Sequence, residues 1–315
     1  MTPMLHPELA RILEAFKDAP PMDFVNTPIT ALRSVMDHIP LPAPAVELHA
    51  VTELEIPRAA DSGASGAMRA RLYRATDASD APIMVYLHGG GWCLGTLDTH
   101  DGLCRHLAHL SGMHVCAVDY RLAPEHVFPA ALDDAYAAVR WVAEHAQLLH
   151  SDAQQLVVAG DSAGGNLAMA CSLRAKAQGW GGIRQQLLFY PVCDVRGNTA
   201  SYQQFGQMPM LTAVNMQQMW KMYHPQQPVH AWASFETSGD WSGLPATVLV
   251  TAELDILRDE GQQLGQRLAQ AGVPVTHLQA AGMIHGFANF SAVSPAVEEI
   301  LKQACAALTA DCVDS

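Results

Sequence analysis

Ser162 stands in a pattern that could carry nucleophilic chemistry. The segment Gly160-Asp-Ser162-Ala-Gly164 follows a short apolar run and precedes a stretch of helical composition. Glycines two residues to either side of a serine are typical of a sharp strand-to-helix turn, because side chains there would clash. Such a turn lifts the hydroxyl clear of the sheet and exposes it to a substrate carbonyl. The alternative is a glycine-rich turn in which the serine only caps the helix.

Four residues after another apolar run could bind the negative charge that develops in such a reaction. His88, Gly89, Gly90 and Gly91 follow the apolar residues 83–87. Glycines let the backbone approach a ligand and aim its N–H groups into a cavity, which is what an oxyanion hole requires. A phosphate cradle is the competing interpretation. However, the chain has neither Gly-Lys-Ser/Thr nor Gly-x-Gly-x-x-Gly with an acidic residue downstream.

A serine nucleophile needs a base, and the base needs a group that orients it. His285 lies in a glycine-flanked loop after an apolar run, and Asp255 follows the apolar residues 247–251. Loops at the carboxyl ends of parallel strands are where such sheets place their sites. The order Ser162, Asp255, His285 fits a nucleophile, acid and base on this kind of sheet. A helix N-cap role for Asp255, with Asp259 as the acid, remains the alternative.

The surrounding pattern predicts the elements that position these residues. Strands are expected at 83–87, 114–118, 156–159, 186–190, 247–251 and 275–278. Helices are expected at about 98–110, 130–146, 164–178, 257–271 and 295–309. Apolar strands without alternation are typical of parallel sheets covered on both faces, and their alternation with helices predicts a doubly wound α/β layer fold. Two earlier strands, at 46–56 and 68–75 around a turn at 61–66, predict a hairpin.

Two regions depart from this rhythm. The first 45 residues contain two short amphipathic helices, with apolar side chains at helical spacing from 5 to 16 and from 29 to 36. The stretch 194–240 is rich in Gln and Met and contains a helical piece near 212–223. A long insertion of this kind usually covers a site or is itself mobile.

Composition excludes several classes of function. The chain has 315 residues, 50% of them hydrophobic, and a formal net charge of −13. That acidity argues against a nucleic-acid partner and against anionic membrane surfaces. Seven cysteines without a Cys-x-x-Cys pair are typical of free thiols, and neither a signal peptide nor an apolar run of roughly 18 residues is present, so we expect a cytoplasmic protein. The histidines at 100, 106 and 109 lack a convergent carboxylate or cysteine, which favours a solvated helix face over a metal site.

Taken together, these segments resemble the hormone-sensitive-lipase-like family of α/β-hydrolase esterases, the bacterial group called family IV. The matching segments are Tyr86-Leu-His-Gly-Gly-Gly-Trp, Val118-Asp-Tyr-Arg-Leu-Ala-Pro-Glu-His, Phe128-Pro-Ala-Ala-Leu-Asp-Asp, Gly160-Asp-Ser-Ala-Gly-Gly-Asn-Leu-Ala, Tyr190-Pro, Ala252-Glu-Leu-Asp-Ile-Leu-Arg-Asp-Glu and His285-Gly-Phe. They cover about residues 82–290. Ile256 stands where relatives commonly have proline, a departure that does not affect the proposed acid.

The resemblance implies an α/β-hydrolase fold with a mostly parallel eight-stranded sheet, helices on both faces and a helical cap. Residues 1–45 and 194–235 would form the cap, and residues 46–193 and 236–315 would form the catalytic domain. The family pattern implies Ser162, Asp255 and His285 as the triad. It further implies an oxyanion hole and a substrate pocket. The oxyanion hole would comprise the N–H groups of Gly90, Gly91 and Ala163, with His88 and Gly89 shaping the loop. Pocket candidates are Trp92, Phe205, Met210 and Leu211.

The implied function is that of a serine carboxylesterase acting on short-to-medium acyl esters. The resemblance implies no cofactor or metal. The expected partner is a small-molecule ester, with no nucleic acid or membrane, and the family pattern is compatible with a homodimer. Two alternatives stay open on the sequence alone. One is an amidase or deacetylase with the same triad, because the triad does not distinguish esters from amides. The other is a non-catalytic receptor for a small molecule on the same fold.

Overall fold

Eight strands form one sheet in the computed structural model, which describes residues 4–18, 22–37, 44–58 and 66–310. The strands are β1 (Ala50–Pro57), β2 (Ala67–Arg74), β3 (Ala81–Leu87), β4 (His114–Val118), β5 (Ser151–Asp161), β6 (Gln185–Phe189), β7 (Ala246–Leu254) and β8 (Val275–Ile284). Their order across the sheet is β1-β2-β4-β3-β5-β6-β7-β8. β2 is antiparallel to both β1 and β4, and the remaining pairs are parallel. The predicted fold class is confirmed.

The helices lie between and around these strands. They are α1 (Pro7–Ala15), α2 (Ile29–Asp37), α3 (Asp101–Ser111), α4 (Ala130–Glu144), α5 (Ala163–Ala177), α6 (Ala200–Phe205), α7 (Ala213–Tyr223), α8 (Arg258–Gln270) and α9 (Pro295–Ala310). β4 and β6 are buried along their whole length, and β3 is buried at all but one residue. Strands buried on both faces require helices on both faces. Within the described ranges, no helix is long and apolar enough to cross a lipid bilayer.

β5 is longer than its apolar run predicts. It was expected over 156–159, but it runs from Ser151 to Asp161. Three of the added residues 152–155 are polar, and all four are partly buried or exposed, so hydropathy does not reveal them. Ser151 pairs with Ala81 of β3 beyond an irregularity in the register. At its other end β5 extends to the residue before Ser162, which brings the nucleophile directly to the edge of the sheet.

The predicted hairpin is present as the antiparallel pair of β1 and β2. β1 begins at Ala50 rather than at 46, because its first residue pairs with Arg74, the last residue of β2. Only the N–H of His49 continues the ladder, donating to the Arg74 carbonyl. Beyond that point no partner strand remains. The predicted turn at 61–66 lies outside the described residues except for Gly66.

A buried carboxylate ties α4 to the loop after β4. Asp134 has no exposed surface, and it accepts hydrogen bonds from the backbone N–H and the Nε of Arg121, at 3.0 and 2.9 Å. The Nη2 of the same arginine donates to the second oxygen at 2.9 Å, and Arg58 lies 3.3 Å away. The neighbouring Asp133 instead pairs with Arg174 at a partly exposed position. Removal of Asp134 would therefore affect buried hydrogen bonds, whereas removal of Asp133 would affect only a partly solvated ion pair.

We expect Asp134→Ala to lower the free energy of unfolding by about 3–5 kcal/mol, because it removes the buried carboxylate that accepts three hydrogen bonds from Arg121. Asp133→Ala is the matched control and should cost about 1 kcal/mol or less, since its ion pair is partly solvated. Equilibrium urea unfolding of both variants measures the difference. Equal stabilities would show that the Asp134 contacts contribute nothing beyond a surface ion pair.

Candidate active site

Ser162 occupies the turn between β5 and α5 in a backbone conformation that few residues adopt. Its φ is 54° and its ψ is −117°. Gly164 lies so close to the carbonyl oxygen of Leu87 that a Cβ would overlap it, and a Cβ at Gly160 would overlap Gly164 itself. The spacing of the glycines is thus dictated by packing of the turn against β3. The Ser162 side chain makes no capping hydrogen bond, so the helix-cap interpretation does not hold.

One imidazole connects the serine to a carboxylate. His285 directly follows β8, which runs to Ile284 instead of ending at 278 as predicted. Its Nε2 lies 2.9 Å from Ser162 Oγ, and its Nδ1 lies 2.8 Å from Asp255 Oδ2. The serine is only 6% exposed and the histidine 9%. The three residues form a single hydrogen-bonded line, largely shielded from solvent, in the geometry needed to activate a hydroxyl.

The two candidate acids have different partners. Asp255 is buried, and its second oxygen accepts the backbone N–H of Leu257 at 3.0 Å. Asp259 points elsewhere: its oxygens accept from the N–H of Ser201 and from the Nε of Arg258, both at 2.8 Å. Asp255 contacts the imidazole, whereas the contacts of Asp259 hold α6 to α8. The geometry therefore favours Asp255 as the partner of His285.

The predicted oxyanion hole lies between the loop after β3 and the start of α5. Gly90 and Gly91 have φ values of 113° and 60°, which are readily accessible only to glycine. Ala163 is the first residue of α5, and the first N–H groups of a helix have no partner within it. Among the described residues, the structure gives no acceptor for the N–H groups of Gly90 and Gly91. These donors are available for an anionic oxygen.

His88 holds the oxyanion loop. Its Nδ1 lies 2.8 Å from the Gly89 carbonyl oxygen, and its own carbonyl accepts the hydroxyl of Tyr120 at 2.6 Å. Burial lowers the pKa of His88 to about 3, so the imidazole is neutral and carries a single N–H. That proton must sit on Nδ1 to donate to the carbonyl, which agrees with a buried Nε2 that has no partner in the described structure. The sequence prediction that His88 shapes the loop fits these contacts.

The predicted pocket residues occupy different environments. Trp92 is fully buried, and its ring stacks on Tyr223 with centroids 4.1 Å apart. Phe205 and Leu211 are 6% and 4% exposed. Met210 is 49% exposed, and its methyl group lies beside Gly286, next to the histidine. Met210 is thus the one of the four predicted residues with both an open surface and a position beside the reacting groups.

Two further residues contact the oxyanion loop, and sequence reasoning assigned neither of them to it. The Met219 thioether lies against Gly91, where a Cβ would overlap its sulfur. Its helical spacing with Met216 and Trp220 indicates a buried face of α7 but not which loop that face meets. The carboxylate of Asp161 accepts the N–H of Gly89 at 2.8 Å. No spacing rule predicts this contact, because it joins the end of β5 to a loop 72 residues away in the chain.

The predicted solvated histidine face is wrong for two of its three members. His100 and His106 are buried, and only His109 is exposed. His106 contacts the Ser291 hydroxyl at 2.8 Å, and His100 lies near Asp161. Their helix packs against α9, so this face is interior rather than solvated. In the described part of the chain, no group of three or more His, Cys, Asp or Glu residues could hold a metal ion.

The chain is similar to esterases of known sequence and structure. A family model described as alpha/beta hydrolase fold matches residues 84–289. Esterase LipI of Mycobacterium tuberculosis is 35% identical over 312 residues, or 97% of this chain and 95% of LipI. Carboxylesterase NlhH of the same species is 40% identical over 72% of this chain and 73% of its own.

A solved structure agrees with these relatives. The hyperthermophilic esterase of the archaeon Pyrobaculum calidifontis superposes with a TM-score of 0.88 at 36% identity, covering 98% of this chain and 99% of that one. The agreement spans the strands that carry the serine, aspartate and histidine as well as the flanking helices. The chain therefore belongs to the α/β-hydrolase fold family, in the hormone-sensitive-lipase-like group of carboxylesterases that its motifs resemble.

Proposed function

We propose that the protein is a serine carboxylesterase that cleaves short-to-medium acyl esters through an acyl-serine intermediate. The two contacts of one imidazole carry the proposal. His285 approaches the Ser162 hydroxyl through one ring nitrogen and the Asp255 carboxylate through the other, at 2.9 and 2.8 Å. Family membership supports the same class of reaction, since the relatives described above are named as esterases.

In the acylation step, Ser162 Oγ attacks the ester carbonyl while His285 Nε2 accepts the hydroxyl proton. The carbonyl π pair moves to oxygen, and the resulting anion accepts hydrogen bonds from the N–H groups of Gly90, Gly91 and Ala163. Collapse of this intermediate breaks the bond to the alcohol. The alcohol leaves with the proton that His285 had accepted, and the acyl group stays on the serine.

In the second step, water hydrolyses the acyl-serine. His285 takes a proton from water as the water oxygen attacks the acyl-serine, and it returns that proton to Ser162 Oγ as the acid is released. Asp255 does not change protonation in this scheme. It keeps the Nδ1–H tautomer and stabilises the imidazolium, which requires a fixed carboxylate. The hydrogen bond from the Leu257 N–H supports that fixed orientation.

The proposed cap comprises residues 1–45 and 194–235 on a catalytic domain of residues 46–193 and 236–315. One side chain supports joining the two separate parts: Asn215 of α7 accepts the N–H of Phe24 at 3.4 Å and donates to the carbonyl of Met22. This contact gives the N-terminal segment and the insertion a common surface. A cap made of these two segments would cover the substrate from one side, while the sheet would position the triad.

We further propose a cytoplasmic location and a homodimer. All six cysteines of the described ranges are buried, and those at 93, 104, 116, 171 and 193 are free, which suits a reducing compartment. Cys93, beside the oxyanion loop, has its pKa raised to about 12 by burial, so it is a thiol and not a second nucleophile. The homodimer stays a prediction from the family resemblance, and light scattering would test it.

Ester hydrolysis is tested with p-nitrophenyl esters from acetyl to palmitoyl and with one matched p-nitroanilide. We expect the highest kcat/KM on short-to-medium chains and a much lower value on the anilide. Ser162→Ala should lower kcat by roughly 10⁴–10⁶-fold, because the other triad members cannot replace the nucleophile.

Ser172→Ala is the matched control for that loss. Ser172 is a buried serine of α5, the helix that follows Ser162, and its hydroxyl contacts Gln186 rather than the triad. This variant should retain the wild-type rate. Faster cleavage of the anilide than of the ester would favour the amidase alternative, and near-normal activity of Ser162→Ala would remove the serine mechanism.

Met210→Trp tests the proposed acyl pocket. If the Met210 side chain borders the acyl group, a larger side chain should shift the preferred acyl chain toward shorter lengths. Each methylene that no longer fits should lower kcat/KM by about 1–3 kcal/mol of transition-state free energy. Turnover of the acetyl ester should stay within about tenfold of wild type. Val214→Trp is the control, since Val214 is similarly exposed, at 46%, on the adjoining helix α7. An unchanged chain-length profile in Met210→Trp, or the same shift in both variants, would assign the pocket to other residues.

A further inference from the structure

The carboxylate of Asp161 is buried beside the active site and is not part of the proposed triad. It belongs to the last residue of β5, immediately before Ser162, and it is 3% exposed. One oxygen, Oδ1, accepts the hydroxyl of Tyr86 at 2.7 Å and the backbone N–H of Gly89 at 2.8 Å. The Nε2 of His100 lies 3.4 Å from the same oxygen. Donors from β3, the oxyanion loop and the start of α3 therefore converge on one group.

The second oxygen lies against the backbone of the oxyanion loop. A Cβ at Gly89 would overlap Asp161 Oδ2, so the glycine α-carbon rests directly on the carboxylate. This close approach explains why position 89 must be glycine even though its φ is not positive. The oxyanion loop cannot move toward the turn that carries Ser162, and the hydrogen bond from the Gly89 N–H to Oδ1 keeps it from moving away.

The contacts on Gly89 determine the direction of the next amide. In the peptide that joins positions 88 and 89, Tyr120 binds the carbonyl and Asp161 binds the N–H. In the peptide that joins positions 89 and 90, His88 binds the carbonyl. Because C=O and N–H point in opposite directions across a trans peptide, a fixed Gly89 carbonyl turns the Gly90 N–H to the other side. That N–H is one of the proposed oxyanion donors.

We infer that Asp161 is a positioning residue of the oxyanion hole: its carboxylate fixes the Gly89 peptide and thereby aims the Gly90 N–H at the transition-state oxygen. The inference rests on the acyl-serine mechanism proposed above. Asp161 touches neither substrate nor the reacting atoms in this role. Because Asp161 directly precedes Ser162 and also binds the Gly89 N–H, its carboxylate connects the turn that carries the nucleophile to the oxyanion loop. The nucleophile and the oxyanion donors therefore keep a fixed position relative to each other.

The environment of Asp161 favours an ionised acceptor. Burial would raise the pKa of this carboxyl, but the nearby His100 and the hydrogen bond from Tyr86 outweigh burial and hold the pKa below its ordinary value. A hydrogen bond to a carboxylate is roughly twice as strong as one between neutral groups. An amide side chain at this position would therefore hold the loop more weakly, and a methyl group would not hold it at all.

The test compares an oxygen ester with its thiono analogue, in which C=S replaces C=O. Sulfur accepts hydrogen bonds weakly, so an oxyanion hole accelerates the oxygen ester far more than the thionoester. The probes are p-nitrophenyl acetate and O-(p-nitrophenyl) thionoacetate. We expect Asp161→Ala to lower kcat/KM on the oxygen ester by about 10²-fold, comparable to the loss of one oxyanion donor, and to lower it on the thionoester by less than about 10-fold. Asp161→Asn should lie between Asp161→Ala and wild type.

Asp134→Asn is the matched control, because Asp134 is a similarly buried carboxylate whose hydrogen bonds come from Arg121 and Arg58 and not from the oxyanion loop. It should keep the wild-type ratio of the two substrates whatever its stability. Circular dichroism establishes which variants are folded. If Asp161→Ala is unfolded, the substrate ratio of Asp161→Asn serves as the test. A folded Asp161 variant that keeps the wild-type ratio, or that loses both substrates equally, overturns the inference. Failure of the wild-type protein to cleave the oxygen ester would instead overturn the proposed function.

Discussion

The backbone of Ser162 is held at a φ of 54°, and the rest of the site depends on that constraint. A non-glycine residue in this region costs of order 1–3 kcal/mol, so the surrounding structure must enforce it. β5 lies in the interior of the sheet between β3 and β6, and the Ser162 N–H donates to the Phe189 carbonyl at 2.9 Å. The Ser162 carbonyl in turn accepts from Asn166 and Val192. The cost of the turn is thus offset by hydrogen bonds to β6, to the segment just after it and to the helix that follows.

The functional groups meet because parallel strands end at one edge of the sheet. β5 ends at the serine, β8 ends at the histidine, and β3 ends at the oxyanion loop. β7 ends one residue before Asp255. These four strands need only pair in register for their carboxyl ends to come together, so the geometry is set by backbone pairing more than by the loops themselves.

Local pattern was sufficient to predict the sheet, the family and the candidate triad, because buried strands and glycine turns leave strong signals in the sequence. Polar residues within β5 hid half of that strand, and its extent became visible only from its pairing with β3. The burial of His100 and the approach of Met219 to Gly91 depend on how helices pack on loops far away in the chain. The family pattern already favoured Asp255 over Asp259, but only the coordinates show that Asp255 contacts the imidazole while Asp259 contacts Ser201. Contacts between residues distant in the chain produce no periodic pattern in the sequence, so local patterns do not predict them.

Paired asparagine substitutions determine whether Asp255 orients His285. Steady-state kinetics on a short p-nitrophenyl ester would compare Asp255→Asn with Asp259→Asn. We expect kcat to fall by about 10⁴-fold for Asp255→Asn, because an amide favours the wrong imidazole tautomer, and to stay near normal for Asp259→Asn. Loss of activity in Asp259→Asn together with normal activity in Asp255→Asn would show instead that Asp259 is the acid.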